Sequence, residues 1–234
     1  MSQSKFLDVA ARLDAMRIAS VNVSLPREVI WRGKRVTTGI FKEPVEGPVT
    51  LRTLNLDGDR QADLSVHGGP SNAAYVFLVE HYEHRRRELP KMKLPWGMFG
   101  ENLTAQWSGE DALNIGDRFR VGSAEVMVTE PRLPCYKLGV KFGREDIIKR
   151  FLASGRTGFY VAVVREGKVE AGDAVELIER DRHGVTVADI TRLYAHDRNN
   201  RDLLDRAVQI PALPESWKGY FRHRIEKLSG AVER

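Results

Sequence analysis

Cysteine is almost missing from these 234 residues; the one thiol is Cys135. An internal disulfide is thereby excluded, and so is a four-cysteine zinc site. No run of about 18 uncharged apolar residues occurs, which argues against a transmembrane helix. Met1 to Ser20 carries Asp8, Arg12, Asp14 and Arg17 with no long apolar stretch, so it does not read as a signal peptide. Charge of one sign is not in strong excess either. With 37 basic against 32 acidic residues the net charge is +5, which suits anionic small molecules but does not single out nucleic acid. Walker-A, G-x-G-x-x-G, G-x-S-x-G and H-E-x-x-H signatures are all lacking. A lone thiol without an export signal makes a reducing cytoplasm the expected setting.

What is present is the composition of a globular chain, 42% hydrophobic and 29% charged, sufficient for a real core. Phe6, Val9, Ala10, Leu13 and Met16 have helical spacing, so residues 1–17 are expected to form an N-terminal helix. From Ile18 the period changes to alternation. Strands are expected over Ile18–Leu25, on both sides of the Arg32-Gly33-Lys34-Arg35 turn, and through Val45–Leu56 with a break at Gly47-Pro48. A helix is expected from about Asn72 to Leu89, its Glu80–Glu88 half a solvated charged face rich in His81, His84, Arg85, Arg86 and Arg87. Arg118–Thr129 reads as a hairpin turning at Gly122-Ser123. A short helix follows over Arg144–Leu152, and Phe159–Val164 and Ala174–Ile178 read as the last strands. Short strands at regular spacing with few helices point to a β-barrel or sandwich over 18–183.

Past Gly184 the pattern is helical. Thr186, Asn199 or Asn200, and Ser216 stand where caps belong, which predicts three helices packed around Tyr194, Trp217, Tyr220 and Phe221 in a unit spanning 184–234. From Thr186 onward nine basic residues face seven acidic ones, so this unit lacks the concentrated positive charge of a DNA reader.

Four polar segments carry the chemistry. Cys135 lies in Pro131-Arg132-Leu133-Pro134-Cys135-Tyr136-Lys137, where Arg132 and Lys137 favour a thiolate and Pro134 stiffens the chain. The residues alone leave a buried, inert cysteine equally open. His67-Gly68-Gly69-Pro70 offers backbone N–H groups and a side-chain donor to an anion, or simply a tight turn. Phe99-Gly100-Glu101-Asn102-Leu103 reads as a polar loop or a ligand rim, and Thr38-Gly39-Ile40-Phe41-Lys42 sets a hydroxyl, a glycine and an ammonium together. Asp57-x-Asp59-x-x-x-Asp63 opens like a calcium loop but fails, because Ala62 stands at the glycine position and Gly68 at the bidentate glutamate. Its carboxylates are expected to shape turns.

In order, Gly58-Asp59-x-Gln61-Ala62-Asp63, His67-Gly68-Gly69, Phe99-Gly100-Glu101-Asn102-Leu103 and Pro131-Arg132-x-Pro134-Cys135-x-Lys137 resemble the MOSC family, the molybdenum-cofactor sulfurase C-terminal domains. The likeness is greatest to the YiiM-like branch, which adds a three-helix domain, and it covers roughly Ile18–Leu228. One departure is Ser71-Asn72, where branch members often carry an acidic-basic pair. The resemblance implies a mainly β chain, a MOSC-type β-barrel with a few peripheral helices and a C-terminal three-helix domain. It implies a molybdopterin-type cofactor with Cys135 as catalytic residue and molybdenum ligand. Thr38, Lys42, His67, Gly68, Gly69, Asn102, Arg132 and Lys137 would be cofactor contacts. The activity implied is reduction of N-hydroxylated bases such as 6-hydroxylaminopurine, independent of pyridoxal phosphate. Electrons would come from an external reductase, since the chain has no flavin or nicotinamide fingerprint. A persulfide carrier using Cys135 is the alternative, a nucleic-acid module on the last helices a second one, and a homodimer is left open.

Overall fold

The computed structural model describes residues 16–62, 68–107 and 109–232. The helix expected over 1–17 lies outside them except for Met16 and Arg17, and Arg17 there opens the first strand, β1 (Arg17–Val23). Then come β2 (Arg27–Trp31), β3 (Lys34–Thr38), β4 (Glu43–Val45), β5 (Val49–Leu51), β6 (Ala74–Leu78) and helix α1 (Val79–Glu88). After β7 (Leu103–Gln106), β8 (Arg118–Val121) and β9 (Ala124–Pro131) stand two short helices, α2 (Tyr136–Phe142) and α3 (Asp146–Ala153). β10 (Phe159–Arg165), β11 (Gly167–Val169) and β12 (Val175–Glu179) precede α4 (Val187–Ala195), α5 (Arg201–Ala207) and α6 (Glu215–Val232).

Eight strands form one sheet in the order β12-β8-β9-β10-β6-β7-β1-β4. All its pairs are antiparallel except β6 with β7. The sheet is open, which corrects the expected barrel. β12 and β4 are its edges, because short β4 takes the second side of β1 over Val21–Val23. Near the start of β1 the gap is spanned by the lone bridge Arg17 to Ala174 and by flanking backbone bonds, Ile18 N to Asp173 O and Val175 N to Met16 O, each 2.9 Å. The β2–β3 hairpin stands apart; Arg32 and Gly33 at φ 52° and 74° give the turn whose twist suits paired strands.

Two stretches differ from their sequence reading. Residues 74–78 form a strand rather than the start of a helix, since Ala-Tyr-Val-Phe-Leu is buried on both faces and shows no alternation. The charged half of α1 is not wholly solvated. Arg85 is fully buried, its guanidinium donating to Glu88 and to Ser154 Oγ at 2.7 Å each and standing 4.9 Å from the Phe151 ring centre. That ring belongs to an aromatic core with Phe77 and Phe99, whose centres are 4.3 Å apart. Each fully buried ring of this kind stabilises the fold by roughly 1.5–3 kcal/mol.

The three terminal helices match their caps in two cases. Thr186 and Asp189 form a reciprocal capping box at α4, and Asn200 Oδ1 accepts from Leu203 N at α5. Ser216 is not a cap, because α6 begins one residue earlier. Tyr194 stands edge-on to Trp217, which packs on Phe221. No helix among the described residues is long and apolar enough to cross a membrane.

Candidate functional site

A cleft of about 130 Å³ opens where the β3–β4 segment, the turn at Asp59, the loop before β7 and the stretch after β9 converge. Two glycines permit that approach. A Cβ on Gly39 would lie 2.5 Å from the Arg60 carbonyl oxygen, and one on Gly100, at φ +82°, would lie 2.7 Å from Ile40 Cγ1. Glu101 pins the third loop from inside. Its fully buried carboxylate accepts from Gly97 N (2.7 Å), Phe99 N (3.0 Å) and Thr104 Oγ1 (2.8 Å), so it holds backbone rather than ligand. Burial pushes its pKa up, with the Tyr82 hydroxyl bond opposing.

Of the residues expected at the site, Thr38, Lys42, Gly68, Asn102, Arg132, Cys135 and Lys137 line this cleft. Gly69 adjoins it without lining it, and His67 lies outside the described residues. Cys135 is half-buried in extended backbone immediately before α2.

The lining residues differ in what else they bind. Lys42 Nζ is paired with Asp59, and both are buried. Asp59 also accepts from Ser24 N at 2.9 Å and from Asn102 Nδ2 at 2.9 Å. Asn102 Oδ1 in turn accepts from Tyr75 N at 3.1 Å, and Thr38 Oγ1 from Ile40 N at 3.2 Å. Burial lowers the Lys42 pKa although Asp59 raises it. Lys42 thus lines the cleft already paired with Asp59, and Asp59 does more than shape a turn.

Arg132 is the opposite case. It is 5% exposed, and its Nε and Nη1 have no acceptor among the described residues. Its guanidinium stands 5.2 Å from the Tyr75 ring centre and 5.5 Å from that of Phe151. Burial works against its charge, but Tyr75, Tyr160 and Cys135 together hold its pKa above the usual value. Burial likewise pushes the Tyr75 and Tyr160 hydroxyls up, with Arg132 opposing. Lys137 and Arg60 also line the cleft, and neither has a carboxylate partner among the described residues. Arg60 escaped the sequence reading because it occupies the variable position between Asp59 and Gln61. Tyr75 gives no signal in the sequence because its strand, buried on both faces, shows no alternation.

Comparison with known proteins shows the family. A MOSC domain matches residues 63–176, and a YiiM-like 3-alpha helix domain matches residues 185–228. The chain is 35% identical to Protein YiiM of Escherichia coli strain K12 over 198 residues, 84% of this chain and 87% of that one. The chain belongs to the MOSC family, in its YiiM-like branch. The crystal structure of YiiM from Geobacillus stearothermophilus superposes on this MOSC protein with a TM-score of 0.76 at 31% identity, covering 90% of this chain and 99% of that one. A Gibberella moniliformis protein named Reductase is 31% identical over 182 residues, 76% of this chain but 32% of that longer protein.

Proposed function

We propose that this MOSC protein is a molybdenum-cofactor-dependent reductase of N-hydroxylated bases such as 6-hydroxylaminopurine, with Cys135 as the metal-ligand thiolate. The observation that carries the reading is the joint presence in one cleft of the single thiol, a buried guanidinium with two nitrogens unmatched among the described residues, and two further cations without a carboxylate partner among those residues. A thiolate is a soft ligand, and the surrounding positive charge suits a phosphate-bearing group. The MOSC family match and the reductase name of one relative support the same reading.

When bound, the cofactor supplies two-electron redox chemistry and the dithiolene sulfurs that accompany Cys135. The chain's own groups have separable tasks. Arg132 lies within electrostatic reach of Cys135, so its charge favours the thiolate form. Lys137 and Arg60 hold the cofactor's anionic part, Gly68 adds a backbone donor, and the Lys42–Asp59–Asn102 network fixes the floor on which these stand. The overall change is R–NHOH + 2e⁻ + 2H⁺ → R–NH₂ + H₂O. Electrons come from a separate donor protein, and the cleft's open mouth admits the protons. We assign the sheet unit to 18–183 and the helical unit to 184–234, and place the protein in the cytoplasm.

Metal analysis of protein from a cofactor-competent host tests the assignment. Molybdenum is expected in the wild type and lost in Cys135→Ser, together with turnover of hydroxylaminopurine by a competent reductase. A metal-free wild type carrying a persulfide on Cys135 would overturn it in favour of sulfur transfer.

A further inference from the structure

Glu130 is the last charged residue of β9 before Pro131-Arg132, and both of its carboxylate oxygens are engaged. Oε1 accepts from Asn72 Nδ2 at 2.7 Å. Oε2 accepts from Trp217 Nε1. Asn72 lines the cleft with Gly68, whereas Trp217 belongs to α6 and is only 7% exposed within the helical core. The preceding residue works alongside: Thr129 Oγ1 donates to Ser71 O at 2.6 Å. The Pro70–Asn72 turn is closed on itself by Asn72 N to Gly69 O at 3.0 Å.

We propose that Glu130 is a positioning residue through which the C-terminal helices set the 68–72 wall of the cleft. It touches no ligand; it fixes Asn72, and Asn72 fixes the glycine turn beside Cys135. The chemistry is specific. Two N–H donors from different elements converge on one carboxylate, and hydrogen bonds to a charged acceptor are among the stronger ones available. Glu130 is the one acceptor of the Trp217 indole N–H among the described residues, and the ring packs against Tyr194 and Phe221. This also gives Asn72, which stands where branch members often carry a charge, a neutral role. The cleft's relevance rests on the proposed function, but the coupling itself does not.

Hydrogen exchange of the 68–74 segment measures that coupling without any cofactor. Trp217→Phe keeps the packing and removes the donor, so exchange there is expected to quicken by about tenfold. Tyr194→Phe, which alters the same helical core without touching Glu130, is expected to leave it unchanged. Glu130→Gln should stay near wild type, because a flipped Asn72 amide can accept from the new NH₂ while the remaining oxygen serves Trp217. Unchanged exchange in Trp217→Phe, or equal acceleration in Tyr194→Phe, would overturn the proposal. Molybdenum content is read on the same samples. A wild type that holds none would sink the cofactor assignment while leaving the exchange result to decide the role of Glu130.

Discussion

Among the residues lining the cleft Lys42, Asp59 and Asn102 satisfy one another, with Ser24 N completing the set. Arg132, Lys137 and Arg60, which line the same cleft, have no carboxylate among the described residues. Lys42 and Lys137 read alike in the sequence, each a cation beside a suspected loop. Folding separates them. A buried ammonium locked to a carboxylate costs desolvation and leaves little field for a ligand, whereas the Arg132 guanidinium, bonded to Tyr160 but with Nε and Nη1 unmatched among the described residues, keeps those N–H groups for an incoming anion. The capacity of a cleft to hold an anion is thus the positive charge left after internal pairing, and the site's two halves divide into scaffold and receptor on that basis.

The contrast breaks most severely at Asp59. Asp59→Ala strands the Lys42 ammonium and removes acceptors from Ser24 N and Asn102, so urea unfolding should show a loss of about 3–5 kcal/mol. Arg132→Met should do the reverse. Stability is expected to change by less than about 1 kcal/mol, since no ion pair is lost, while molybdenum content falls by about tenfold. If Arg132→Met instead unfolds the protein, its charge belongs to the scaffold and the division fails.

The smallest effect concerns Lys141, whose Nζ donates to the carbonyls of Gly97 (3.0 Å), Ile40 (3.2 Å) and Lys42 (3.3 Å). Burial lowers its pKa from 10.5 to about 8, with the Glu101 charge opposing. A lysine with a depressed native pKa binds fewer protons folded than unfolded, so its contribution to stability rises with pH between those two values. Unfolding measured from pH 8 to 10.5 should show that rise in the wild type and a smaller one in Lys141→Met, where the buried Lys42, its pKa also lowered, still contributes.

Legibility followed locality. The β8–β9 hairpin and the caps at Thr186 and Asn200 depend on residues within a few positions of one another, and the pattern exposes them. β6 was hidden because a strand buried on both faces has no alternation to read. The burial of Arg85 and the pairing of Lys42 with Asp59 were hidden because each depends on segments distant in sequence. The order of polar segments indicated the family and most of the cleft's lining. It did not indicate which lining side chains spend their hydrogen bonds on one another, nor that the sheet stays open.

That open sheet has a consequence for how the chain reaches its native state. The backbone bonds joining Met16 and Ile18 to residues 172–175 link positions separated by most of the sheet's sequence. Closing so long a loop is entropically slow, so this seam is expected to form after the local hairpins and the terminal helices. Until it does, the first residues of β1 present, on the side away from β7, N–H and C=O groups that another copy could engage. Aggregation during refolding should therefore increase with concentration during the interval before the seam closes, and diminish once it has closed.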